Sequence, residues 1–277
     1  MDAVQKIYRF YQSYGGEKRI IGASACGLPI VALFAGRHEF PQLIVQYGIH
    51  GREWVTSLLA PEHLLFGLTR GGAWFVPLSD PDGALLSMYG EEFLKQLPPK
   101  RARFLRAVNG ENPFSLWKAN GNAVDLNVNF PAGWGEGVRN VRAPAPENYI
   151  GRRPLSEPES AALYRFTLDV RPDATISYHT KGEEIYWEYF QQGERLCRDE
   201  LLARALAAET GYAAKRLAGS GGGYKDFCIR ALKIPAFTIE AGRDSLSHPL
   251  GEGEFYPILA KNIGVVRRLS EELWKTR

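Results

Sequence analysis

Apolar, β-branched and aromatic residues gather into short runs closed by turn formers: "PIVALFAG" at 29–36, "QLIVQYG" at 42–48, "AWFVPL" at 73–78, "ATISYH" at 174–179 and "AFTIEAG" at 236–242. Most are apolar at successive positions, which predicts strands buried on both faces. Between them, apolar positions recur with helical spacing over 53–68, 156–170, 199–212 and 256–275. Alternating strands and helices predict an α/β fold. Ser156 and Glu159 stand at capping-box spacing, with Pro158 tolerated in the first turn, and Gly211 is placed to stop the third helix in a left-handed conformation. Pro61 is expected to kink the first helix. From 109 to 153 the chain turns to Asn, Gly, Pro and Arg with little periodicity, too long for a simple connection and therefore a candidate functional loop. With no internal repeat, low-complexity tract or Gly/Ser linker, the expectation is one domain over 1–277.

Composition narrows the function classes. The 277 residues are 45% hydrophobic, enough for a large core, and 34 Lys+Arg against 31 Asp+Glu leave a formal net charge of +3. The basic residues are scattered apart from "KRAR" at 100–103. That excludes a nucleic-acid footprint. Cys26, Cys197 and Cys228 are odd in number and far apart, reading as structural thiols in a reducing compartment. The opening "MDAVQKIYRFYQSYGG" has no apolar stretch of signal-peptide length, and nowhere do about eighteen uncharged apolar residues run together. The expected location is the cytoplasm, with no membrane partner.

Candidate chemistry begins at "QYGIHGREW", 46–54, where His50 and Glu53 lie three apart as a strand turns into a helix. Positions i and i+3 are neighbours on a helix, so imidazole and carboxylate share one face. A catalytic zinc needs three protein ligands and an open fourth position, and two histidines with one glutamate is a known set. Among the other histidines, His38 sits at a hairpin turn, His63 inside a helix and His248 in a polar loop. His179 ends the strand "ATISYH", where α/β sheets present ligand-binding groups, and is the best third ligand. Glu240 ends the apolar strand of "PAFTIEAGRD"; a carboxylate is costly to bury there unpaired and so marks a site.

"GIHGREW", "VDLNVNF", "SYHTKGEE", "GSGGGYKDF" and "FTIEAGRD" occur in the order shown by the zinc metallocarboxypeptidases of carboxypeptidase A type, and the chain resembles that family from about residue 20 to beyond 245. The resemblance implies an α/β/α domain around a mixed, mainly eight-stranded sheet with one zinc at its carboxyl edge. It implies His50, Glu53 and His179 as ligands, Glu240 as the catalytic carboxylate, and Asp125 as the acceptor that orients the first zinc histidine. Asn127 matches an asparagine at the substrate's terminal carboxylate, and Arg52 an arginine lining the groove. Lys118 lies seven residues before Asp125, where shorter-looped members carry an arginine for the oxyanion; lysine supplies the charge without the planar fork.

Departures from the pattern bear on the substrate. Digestive-type relatives read "NRNF" where this chain reads "NVNF", so Val128 replaces the arginine that clamps a C-terminal carboxylate. Ala218 stands in for a mobile tyrosine, and Lys225 occupies the position that sets side-chain preference, favouring a carboxylate-bearing leaving group. Arg243, Arg139 and Lys181 are further candidates for carboxylate recognition. "WKAN" with "VDLN", and the short N-terminus before the first motif, resemble the bacterial branch that cleaves γ-D-glutamyl-diaminopimelate bonds in murein peptides. The expected substrate is therefore a small, soluble murein-derived peptide. A general carboxypeptidase using Lys225 or Arg243 is the alternative within the enzymes, and a non-catalytic peptide-binding module the alternative outside them.

Overall fold

The computed structural model describes residues 1–276. Among these, eight strands form one mixed sheet: β1 (Lys18–Ala23), β2 (Pro29–Gly36), β3 (Gln42–Tyr47), β4 (Gly72–Val76), β5 (Ala174–His179), β6 (Glu184–Tyr186), β7 (Ala213–Lys215) and β8 (Ala236–Glu240). Their spatial order is β1-β2-β4-β3-β5-β8-β6-β7. The central four, β4-β3-β5-β8, are parallel. Antiparallel pairings join β1 to β2, β2 to β4 and β6 to β8.

The buried runs sit in this centre because both sheet faces are covered. Along β3, Leu43, Val45 and Tyr47 pack with Val55, Leu59, Leu206 and Leu269 on one side. Ile44 packs with Trp74, Leu163, Phe166 and Phe227 on the other. The successive apolar residues of a central strand thus serve two cores, giving helix, sheet and helix layers. No helix of the described residues is long and apolar enough to cross a membrane.

The strands expected from the sequence are present within two residues at each end. The strands it missed are the edge strand β1 and the three-residue β6 and β7, too short or too exposed to produce an apolar run. The first helical segment needs correction. Gly51–Leu58 is a 3-10 helix, and only Leu59–Phe66 is α-helical. Pro61 kinks nothing, because it lies in the first turn of Leu59–Phe66, where a missing N–H breaks no helical bond; the irregular backbone is at Glu53, with φ −103° and ψ 21°. Nor does Ser156 cap the next helix. Pro158–Val170 starts after Glu157, while the Ser156 hydroxyl is held by Glu157 Oε1 at 2.8 Å and Asn129 Nδ2 at 3.1 Å. Gly211 does end Glu194–Thr210, with φ +74°. The last segment divides into Phe255–Asn262 and Val265–Lys275, interrupted at Gly264.

Candidate metal centre and cleft

Leaving β3, the chain passes through Gly51–Phe66 to β4 on one side, then later enters β5 on the other side of β3. Strand order reverses there, and such reversals open a crevice at the carboxyl ends of the strands. His50 follows β3, His179 ends β5, and Glu240 ends β8 directly opposite His179 in the pairing register. Glu53 is brought back by a tight turn in which its N–H donates to the His50 carbonyl at 3.0 Å. His50 precedes the 3-10 helix in extended conformation and Glu53 departs from helical angles within it, so the turn, not regular helix geometry, brings the two side chains together. Gly51 permits this because a Cβ there would stand 2.3 Å from the Gly83 carbonyl oxygen.

All three ligand candidates are buried: His50 is 4% exposed, Glu53 3% and His179 1%. Their donor atoms lie within 4.8 Å of one another. His50 Nδ1 stands 3.0 Å from Glu53 Oε1, His179 Nδ1 3.0 Å from Glu53 Oε2, and the two Nδ1 atoms 3.1 Å apart. His50 Nε2 faces Asp125 Oδ1 at 3.2 Å. A proton on Nε2 toward that carboxylate leaves the Nδ1 lone pair aimed at the cluster. Two imidazole lone pairs and a carboxylate converging in a buried place fit a divalent metal, and the mixed N/O set fits zinc.

Asp125 is fully buried. Its Oδ2 accepts from Lys118 Nζ at 2.7 Å and the Asn148 N–H at 3.1 Å, and Oδ1 accepts from the Asn127 N–H at 3.1 Å. Burial pushes this carboxyl up, but Lys118 and His50 outweigh it and hold it well below the usual range. Lys118 is held above its ordinary value: burial opposes its charge, and Asp125 and Glu53 favour it. Glu240 is pushed up to about 7, chiefly by burial, with Glu53 and Glu184 adding to the rise and His179 and Lys118 opposing it.

These groups open on one cleft of about 430 Å³ whose lining includes His50, Lys118, Asn127, His179, Lys225 and Glu240. Val128, Ala218 and Arg139 also line it. Asn127 Oδ1 accepts from the Tyr224 N–H at 3.1 Å, leaving its amide nitrogen for the cleft. Arg52, Lys181 and Arg243 stand outside the lining. Arg52 contacts Glu147 at 3.2 Å and the Leu116 carbonyl at 3.3 Å, Lys181 pairs with Asp244 at 3.1 Å, and Arg243 is exposed. His63, weighed as a ligand from sequence, lies in the core between the Tyr47 hydroxyl at 2.7 Å and the Asn262 carbonyl at 2.9 Å. Asp226 and Tyr186 line the cleft without having been singled out. The signal available for Asp226 was its place beside Lys225; for Tyr186 it was only an aromatic in the short run "EIY".

The chain matches the zinc carboxypeptidase family over residues 68–249. It is 30% identical over 284 residues to the Gamma-D-glutamyl-L-diamino acid endopeptidase 1 of Lysinibacillus sphaericus, an alignment covering 96% of this chain and 69% of that protein. It is 36% identical over 95 residues to Murein peptide amidase A of Escherichia coli K12, covering 31% and 39% of the two chains. Among solved structures, bovine thrombin-activatable fibrinolysis inhibitor, in complex with tick carboxypeptidase inhibitor, superposes with a TM-score of 0.80 at 19% identity, over 100% of this chain and 98% of that one. The murein-tripeptide amidase of Escherichia coli O157 gives 0.64 at 22% identity, over 92% and 93%. The protein belongs to the zinc carboxypeptidase family. It is a zinc-dependent metallopeptidase acting on peptides.

Proposed function

We propose that this enzyme hydrolyses the amide bond between the γ-carboxyl of D-glutamate and diaminopimelate in murein-derived peptides, with 1–277 working as one catalytic domain. The observation that carries the reading is the cleft wall: Val128 lines it beside Asn127, while its basic groups are elsewhere, at Lys118, Arg139 and Lys225. A valine offers nothing to an ordinary C-terminal carboxylate, whereas displaced charge suits a leaving group with carboxylates in other positions. The likeness to an endopeptidase named for γ-D-glutamyl-L-diamino acid bonds and to an amidase named for murein peptides supports the same reading. A reducing compartment such as the cytoplasm accords with Cys26, Cys197 and Cys228, none of which forms a disulfide.

In this reading His50, Glu53 and His179 hold zinc, with Asp125 fixing the His50 ring. Zinc, when bound, supplies Lewis acidity that acidifies water and polarises the scissile carbonyl. Glu240, at the cleft wall opposite His179, takes the proton of the attacking water and returns it to the departing amine. Lys118 keeps N–H groups that Asp125 does not use, and offers them to the oxygen where negative charge develops. Asn127 and Lys225 hold the leaving group; Arg52 and Arg243 act from beyond the cleft lining, by orienting the loops or meeting the far end of a longer peptide.

The test is kcat/KM of the zinc-loaded enzyme on L-Ala-γ-D-Glu-diaminopimelate against N-blocked dipeptides with apolar C-terminal residues. The murein tripeptide should be cut at least tenfold better. Equal or reversed preference would leave a general carboxypeptidase instead.

A further inference from the structure

Lys225 and Asp226 form an ion pair at 2.6 Å whose side chains are only 6% and 3% exposed, yet both line the cleft that holds Glu240. Lys225 Nζ also donates to the Glu188 carbonyl at 3.0 Å and stands 5.4 Å from the Tyr189 ring centre. An ammonium has three N–H donors, so one remains. Asp226 Oδ1 takes Lys225, and Oδ2 takes only the Gly223 N–H, at 3.3 Å. Acceptor capacity therefore also remains.

Such a pair is a poor receptor for a lone ion. A carboxylate approaching Lys225 meets an anion beside it, and an ammonium approaching Asp226 meets a cation. A ligand carrying both charges on one carbon avoids the conflict, because each of its charges pairs with its opposite. A buried pair contributes little net stability over apolar residues of the same size, so stability alone does not account for one in the wall of the cleft. We propose that Lys225 and Asp226 together read a zwitterion, the amino-acid end of the leaving group. Lys225 takes the carboxylate and Asp226 the ammonium. The inference rests on the reading of the leaving group as diaminopimelate, whose far end bears an amine and a carboxylate on the same carbon. Lysine in its place keeps the amine alone, and 2-aminopimelate keeps the carboxylate alone.

The experiment compares kcat/KM on L-Ala-γ-D-Glu-X with X as meso-diaminopimelate, L-lysine or 2-aminopimelate. The parent enzyme should favour diaminopimelate over each analogue by roughly ten- to a hundredfold, the scale of one charge-assisted hydrogen bond. Lys225→Met should collapse the preference over lysine, and Asp226→Asn the preference over 2-aminopimelate. General damage to the pocket would not produce this crossed pattern. Asp226 also supports the turn at Gly223, so the double variant Lys225→Met/Asp226→Asn, which leaves no unpaired charge, covers the case where a single variant does not fold. In the double variant both ratios should approach one. Parent ratios near one, or ratios that survive the double substitution, overturn the zwitterion proposal while leaving γ-D-glutamyl cleavage standing. Cleavage of ordinary C-terminal peptides with none of the three substrates cut removes the proposed function itself, and this inference with it.

Discussion

His179 and Glu240 occupy facing register positions on adjacent strands, yet their surroundings fit them for different work. The His179 ring is buried, with Nδ1 turned to Glu53 and His50. Glu240 lines the cleft with its carboxyl raised. Their substitutions should therefore separate metal binding from chemistry. Glu240→Gln preserves shape but cannot carry the proton, so zinc content should stay at one per chain while kcat falls by roughly 10²-fold or more. His179→Ala removes one of the three proposed ligands, and elemental analysis after metal-free purification and zinc reloading should find the ion lost. Near-parent turnover in the first variant, or full zinc in the second, would reassign those residues. Asp125 links the metal candidates to Lys118: one carboxylate oxygen faces His50 Nε2 at 3.2 Å and the other accepts from Lys118.

At the scale of elements, the 51–66 segment shows what a pattern of apolar positions transmits and what it does not. Helical periodicity was visible, and so were His50 and Glu53 at its start. The 3-10 geometry was not, and neither was the close approach of Gly51 to Gly83, a contact between segments distant in sequence. The central strands were legible because both their faces are covered; β6 and β7 have three residues each and leave no period to detect. Similarly, Lys225 was readable as a basic group, but its neutralisation by Asp226 depends on side-chain packing. His63, in Leu59–Phe66, carries an element-scale prediction. Burial lowers its pKa to about 4 from an ordinary 6.5. Between those values the unfolded chain binds a proton that the folded chain refuses, so stability falls as the pH drops from about 6.5 to about 4. The full effect is about 3 kcal/mol. Urea titrations across this range should show a shallower loss in His63→Gln than in the parent; identical slopes would mean that His63 titrates normally.

For the whole molecule, the sheet acts as a frame that brings residues from four distant stretches to one edge. His50 follows β3, His179 ends β5, Glu240 ends β8, and the 118–128 loop supplies Lys118, Asp125 and Asn127. The rest of the cleft's polar lining comes from strand ends, short helices and loops at that edge. The same frame serves a solved structure with 19% identity, and under the proposed function substrate choice lies in differences such as Val128 and the Lys225–Asp226 pair. The most direct measurement is mass spectrometry of the products from L-Ala-γ-D-Glu-meso-diaminopimelate, cut by zinc-loaded enzyme in ¹⁸O-labelled water. The expected result is L-Ala-D-Glu carrying one labelled oxygen together with unlabelled free diaminopimelate, abolished by chelation and restored by zinc. An uncut tripeptide under conditions where the same preparation removes apolar C-terminal residues from ordinary peptides would contradict it.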